Sequence, residues 1–271
     1  MYLTRHQTSD GPHWAVDGHY MPRYIDLNML LALPYTAMVQ MLQALPVGKT
    51  AVHPLLPPLE PTHEVWAAGV TYRRSREARE QESEVKDVYE KVYAAERPEL
   101  FFKAIGWRVA GHQMPIHIRQ DSDWNVPEPE LTLVLNGRRE IVGYCAGNDV
   151  SSRDIEGENP LYLPQAKIYN GACALGPGIK IAAVGQIKAL PIHLDVFQAG
   201  EVIFHGETQS SQMKRPLAEL VDYLTKELDF PYGVFLMTGT GIVPTDEFSL
   251  RPGHTVRITV GSLQLENTVQ S

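Results

Sequence analysis

Cysteine is scarce in this chain: of 271 residues only Cys145 and Cys173 are thiols, and neither belongs to a Cys-x-x-Cys pair. That excludes a disulfide framework and points to a reducing, cytoplasmic setting. Basic charge is short as well. A net charge of −8 argues against a nucleic-acid or anionic-membrane surface, because either needs a clustered basic face. Long apolar runs are missing too. Leu27 to Gly48 is uncharged, yet Asn28, Pro34, Gln40, Gln43 and Pro46 interrupt it before the ~20 continuous apolar residues that a membrane span requires. The opening "MYLTRHQTSDG" has no apolar centre of the kind a signal peptide needs. The ten histidines show no His-x-x-x-His spacing, so they read as structural or exposed. There is no internal repeat.

What is present is an ordinary globular composition, 44% hydrophobic and 21% charged, enough to bury a core. The uncharged stretch reads as two short helices, about 27–33 and 35–45. Residues 50–62, "TAVHPLLPPLEPT", are dense in proline and fit an extended linker. They divide a small N-terminal segment, 1–60, from a main domain, 61–271. In the latter, "EVWAAGV" reads as a buried strand. The charged segment from Arg73 to Glu96 reads as a solvated helix with a narrow apolar stripe, suited to a mobile cover over a site. From Phe101 onward short strands dominate. Asn136-Gly137 predicts a two-residue type I′ hairpin, and "FQAGEVIFHG" a second hairpin. One more helix is expected over 216–228, where proline suits a first turn and Leu217, Leu220, Val221 and Leu224 recur at helical spacing. The fold class is α+β, mostly β, with a curled or sandwiched mixed sheet.

The run "NVPEPELTLVLNGRREIVGY" opens a strand with Glu128 and Glu130 two apart, hence on one face. A two-residue turn at Asn136-Gly137 sets Glu130 opposite Gly143 and Glu128 opposite Cys145. Asp149 then shares their parity. Three carboxylates on one face repel unless a cation neutralises them, and oxygen-only ligands favour Mg²⁺, Mn²⁺ or Ca²⁺ over zinc. A 2-oxo acid would fill remaining coordination positions through its carboxylate and keto oxygens. On spacing alone, an acidic loop pair facing solvent accounts for the pattern equally well.

Read together, "FFKA", "PEPELTLVL", "IVGYCAGNDVSSRD", "LPQAK" and "MTGTGIVP" resemble the fumarylacetoacetate hydrolase family from about Val65 to the C-terminus. The resemblance implies a mixed β-roll catalytic domain and frequent homodimers. It also implies a divalent metal, Mg²⁺ first, on Glu128, Glu130 and Asp149. "VWAAGVTYRRSREAR", "ERPELFFKA" and "EGENPLYLPQAKIY" look most like the subgroup that dehydrates 2-keto-3-deoxy-pentonates in oxidative sugar breakdown. By the same resemblance Lys167 and Glu99 are the proton carriers. Gly239 and Thr240, in a glycine-flanked turn, and Tyr72 and Ser75 line the substrate. Arg153 and Asp154 are expected to form a local ion pair supporting Asp149. The family's carbon–carbon hydrolases carry Gly-x-Asn-Tyr-x-x-His after the first strand, where histidine activates water. Here "GVTYRRS" matches at Gly69 and Tyr72 but has Ser75 in the histidine's place, and serine alone is a poor base near neutral pH. The implied substrate is therefore a small 2-oxo acid that loses its own hydroxyl. The alternatives are hydrolysis or decarboxylation of acylpyruvate-like compounds, or 2-oxo acid binding without turnover. The sequence leaves open which sugar acid is used and which of Lys167 and Glu99 is the base.

Overall fold

The computed structural model describes residues 1–74 and 92–271. Ser75 and most of the charged segment expected as a cover lie outside the described residues. In chain order the first half forms β1 (Tyr2–Thr8), β2 (Gly11–Val16), β3 (His19–Tyr20), α1 (Leu27–Leu31), α2 (Tyr35–Ala44), β4 (Leu55–Leu56), β5 (Glu64–Gly69), β6 (Glu99–Ile105), β7 (Ile116–His117), β8 (Asn125–Val126) and β9 (Pro129–Leu135). The second half forms β10 (Ile141–Asp149), β11 (Ser151–Ser152), α3 (Arg153–Glu158), α4 (Leu163–Lys167), β12 (Cys173–Ile181), β13 (Pro191–Gln198), β14 (Glu201–Gln209), α5 (Leu217–Leu224), β15 (Val234–Met237), β16 (Thr255–Val260) and β17 (Leu263–Gln270).

A ten-stranded sheet runs β3-β2-β1-β12-β10-β9-β15-β5-β6, with β4 also on β1; a five-stranded sheet runs β14-β13-β16-β17-β7. Strands β9, β10 and β12 pack against β13, β16 and β17, so the mixed, sandwiched architecture expected from the strand-rich sequence is present. Every residue of β9 is buried, which explains why "LTLVL" is apolar at successive positions rather than alternating: both faces are covered. The parts divided at residue 60 share the large sheet, because β1 pairs with β12 as well as with β2. The helices α1, α2 and α5 are shorter than read, ending at Leu31, Ala44 and Leu224.

The two hairpins diverge. Ala199 and Gly200 both have positive φ, 50° and 88°, between Gln198 and Glu201, as a two-residue I′ turn demands. Asn136-Gly137 does not make that turn. Its loop closes through the Asn136 amide on the Glu140 carbonyl, 3.0 Å, and the left-handed residue is Arg139. Tertiary contacts take the dipeptide. The Asn136 side chain accepts from the Arg138 and Glu140 amides and donates to the Leu33 carbonyl. Gly137 donates its amide to the Leu31 carbonyl and lies where a Cβ would meet the Pro231 carbonyl oxygen at 2.7 Å. With the longer loop and a shift between Ile141 and Gly143, Glu130 faces Gly147 instead of Gly143. That displacement of four residues is even, so the parity argument for Asp149 survives although the expected register is wrong.

Candidate metal and proton-transfer site

One end of the large sheet collects the chemistry. Strands β5 and β15 run parallel and finish there, delivering Gly69 and Val70 beside Gly239 and Thr240. Antiparallel β9 and β6 begin there, bringing Glu128 and Glu130 from one and Glu99 from the other. Strand β10 returns to the same end with Asp149, whose amide binds the Glu128 carbonyl at 3.0 Å. Helices α3 and α4 then close the side, carrying Glu156 and Lys167. Ala68, Gly69, Val70, Glu99, Phe101, Glu156, Lys167, Gly239 and Thr240 enclose the three carboxylates around a cavity of about 20 Å³, space for one or two waters or an ion.

Glu128, Glu130 and Asp149 each offer an oxygen, all within 4.8 Å of one another, and all three are buried. Glu128 is held by Arg153 at 2.8 Å on one oxygen and Lys167 at 2.7 Å on the other. Asp149 lies between two ammonium groups, Lys103 at 2.5 Å on Oδ1 and Lys167 at 2.9 Å on Oδ2. Glu130 has no ion pair among the described residues; the Gly239 amide donates to it at 2.6 Å. Burial first, then the Asp149 and Glu128 charges, push its carboxyl well above the usual carboxylate range, against smaller opposing effects of Lys167 and the Gly239 amide. The arrangement fits a hard divalent cation: all donors are oxygen, the space matches an ion, and one fully buried carboxylate lacks a cationic partner. The Lys167 ammonium bridges one oxygen of Glu128 and one of Asp149, so a cation in this space would compete with it for them.

Two backbone features shape the rim. Gly239 has φ of +89° and approaches so closely that a Cβ would meet Thr71 Oγ1 at 2.1 Å, which lets its amide reach Glu130. Val70 has φ of +51°, a left-handed conformation that is strained for a β-branched residue.

The pattern brings together most of the residues singled out. Glu128, Glu130, Asp149, Lys167, Glu99, Gly239 and Thr240 surround one cavity. Tyr72 stands just behind it: it is buried, its ring packs beside Gly241, and desolvation and the nearby Glu130 raise its phenol pKa. The local pair expected for Arg153 and Asp154 is corrected. Arg153 turns inward to Glu128, whereas Asp154 accepts from Ser122 Oγ and the Asp123 and Ile155 amides. Three site residues escaped sequence reading. Phe101 and Glu156 line the cavity, and Lys103 is fully buried behind Asp149. A signal existed: Glu99, Phe101 and Lys103 alternate along β6, and a lysine two residues beyond a phenylalanine on a core-facing strand demands a buried acceptor.

The family description "Fumarylacetoacetate (FAA) hydrolase C-terminal" matches residues 64–270. The chain belongs to the fumarylacetoacetate hydrolase family. Among members, it is 48% identical over 208 residues to a probable 2-keto-3-deoxyxylonate dehydratase of Haloferax volcanii, covering 76% of this chain and 72% of that one. It is 43% identical over 213 residues to the 2-dehydro-3-deoxy-D-arabinonate dehydratase of Saccharolobus solfataricus, covering 76% and 70%. A solved 2-keto-3-deoxyarabinonate dehydratase superposes with a TM-score of 0.86 at 33% identity, over 99% of this chain and 98% of that one. A 2-keto-3-deoxy-D-arabinonate dehydratase complexed with magnesium and 2,5-dioxopentanoate superposes with a TM-score of 0.80 at 32% identity, over 100% and 99%. This member of the family has no helix, among the described residues, long and apolar enough to cross a membrane.

Proposed function

We propose that the protein dehydrates a 2-keto-3-deoxy-pentonate to 2,5-dioxopentanoate, with Mg²⁺ held by Glu128, Glu130 and Asp149. The observation that carries this reading is the sharing of one small cavity by three buried carboxylates and two further proton-carrying groups, Lys167 and Glu99. A 2-oxo acid binder needs the cation but not the carriers. The names of the relatives support the substrate class.

When bound, the metal supplies Lewis acidity to the 2-oxo acid, which makes its C3 protons easier to remove. The chain's own residues do the rest. Lys167 or Glu99 removes a C3 proton, and the other delivers a proton to the departing 4-hydroxyl, which leaves as water. Loss of a proton from C5 and return of one to C3 leaves an enol, and protonation at C4 turns it into the 5-aldehyde. Gly239 and Thr240 provide the polar rim for the substrate, with Tyr72 packed behind them beside Gly241. In the sequence motif Ser75 replaces the hydrolases' histidine, and this favours elimination over attack by water.

Incubating the enzyme and Mg²⁺ with 2-keto-3-deoxy-pentonates and, separately, with acylpyruvates tests the assignment by product analysis. Dehydration of the first and inertness of the second is the expected result. Rapid acylpyruvate cleavage with inert deoxy-sugar acids would overturn it in favour of a hydrolase. The two free, buried thiols suit a cytoplasmic enzyme. A homodimer or higher homo-oligomer is the assembly that sedimentation should reveal.

A further inference from the structure

We propose that Lys103 is the permanent counter-ion of the metal centre, a positioning residue that keeps the site assembled when no metal is bound. The inference rests on the metal-site reading above. Lys103 is 1% exposed and has no solvent route for its charge. Its ammonium donates to the Val150 carbonyl at 3.0 Å and the Lys167 carbonyl at 2.6 Å, and its third face meets Asp149 Oδ1 at 2.5 Å. Two carbonyls take two of its N–H groups; the Asp149 contact is an ion pair, and that oxygen accepts no hydrogen bond.

The contrast with Lys167 assigns the role. Lys167 also binds Asp149, but its partners are side-chain oxygens: Glu128 Oε2 and Asp149 Oδ2, from residues that line the cavity, and Ser151 Oγ. It is the ammonium that an incoming cation would compete with for carboxylate oxygens. Lys103 is anchored by two main-chain carbonyls outside the cavity and stays. Its charge sits against Oδ1, an oxygen with no hydrogen-bond donor, while Lys167 holds Oδ2. By holding the Lys167 carbonyl it fixes the end of α4 and so the root of the Lys167 side chain. Strand β6 thus supplies Glu99 to the cavity from its first residue and Lys103 behind it from its fifth.

A lysine that only fills space would affect metal-free and metal-loaded protein alike. A counter-ion is needed most when metal is absent, because Asp149 is then a buried carboxylate with one fewer cation beside it. The test is thermal unfolding with and without Mg²⁺ alone, for wild type, Lys103→Gln and Lys103→Arg. Glutamine keeps two donors and removes the charge; arginine keeps the charge. Lys103→Gln is expected to lower the metal-free Tm by about 6–12 °C, from the usual cost of orphaning a buried charge and the Tm sensitivity of a chain this size. With Mg²⁺ the loss should be less than half as large, so the metal-induced rise in Tm exceeds that of wild type. Folding of Lys103→Gln only in the presence of Mg²⁺ is the same result in extreme form. Lys103→Arg should show the wild-type metal-induced rise. Equal losses with and without metal, or an enlarged rise in the arginine variant, would overturn the role of the charge. Absence of any metal-induced rise in wild type would instead refute the metal site itself.

Discussion

Gly69→Ala separates catalysis from stability at this site. Gly69 ends β5 opposite Glu99, and the Glu99 carboxyl group folds back over it. A Cβ there would stand 2.1 Å from Oε2, 2.6 Å from Cδ and 3.2 Å from Oε1 of Glu99. Ordinary contact needs about 3.4 Å, so the carboxyl group must retreat by about 1.3 Å, a distance at which misplaced catalytic groups lose about 100-fold in rate. That is about 2.7 kcal/mol of barrier. The clashing atoms are the tip of a flexible side chain rather than backbone, and Gly69 is not left-handed, so replacing it also trims the entropy of the unfolded chain by about 0.4–1 kcal/mol. The fold should therefore barely notice: Tm within about 3 °C of wild type. Three assays decide: kcat on a 2-keto-3-deoxy-pentonate, Mg²⁺ affinity by calorimetry, and Tm. The expected outcome is kcat down about 100-fold with metal affinity intact, because Glu99 is not among the metal-ligand carboxylates. Unchanged kcat refutes a catalytic Glu99. A loss of metal binding in step with kcat shows instead that the substitution has spread into the carboxylate cluster.

Glu130→Gln should weaken Mg²⁺ binding at least about tenfold, since a ligand charge is lost, and chelation of the wild type should abolish turnover; full activity after rigorous chelation contradicts the metal reading. Lys167→Met should cut kcat at least about 100-fold yet raise metal affinity, because the ammonium bridging Glu128 and Asp149 no longer competes; weaker metal binding would argue against that competition. The raised Glu130 carboxyl gives a pH signature. The folded, metal-free chain keeps a proton that the unfolded chain loses near the ordinary carboxylate value, so this group's contribution to stability falls as pH rises from about 4.5 toward the raised value. Metal-free wild type should lose Tm relative to Glu130→Gln across that window, and the Tm gain from Mg²⁺ should grow with pH; parallel melting curves for the two proteins would exclude the shift. In D₂O the product should carry deuterium at C3, and a product free of solvent deuterium rules out proton removal there.

Alternation was the strongest signal in the sequence. Glu128 and Glu130 share a face because strand side chains repeat every two residues, and Asp149 joined them by parity, which an even shift in register preserves. The motif "FQAGEVIFHG" folded as read because its turn is local: Ala199 and Gly200 need only their own backbone conformations. Asn136-Gly137 has the better turn sequence and formed a different loop, because the Leu31, Leu33 and Pro231 carbonyls, distant in sequence, took up its donors and its space. The partners of Lys103 were hidden for the same kind of reason. They are the Asp149 carboxylate, by ion pair, and the carbonyls of Val150 and Lys167, from segments more than 40 residues further along the chain. Local pattern can say that a lysine sits on a core-facing position. Which carboxylate it neutralises, and whether Arg153 turns toward Asp154 or Glu128, is decided only when the chain closes and buried charges must find partners in a medium that solvates them poorly.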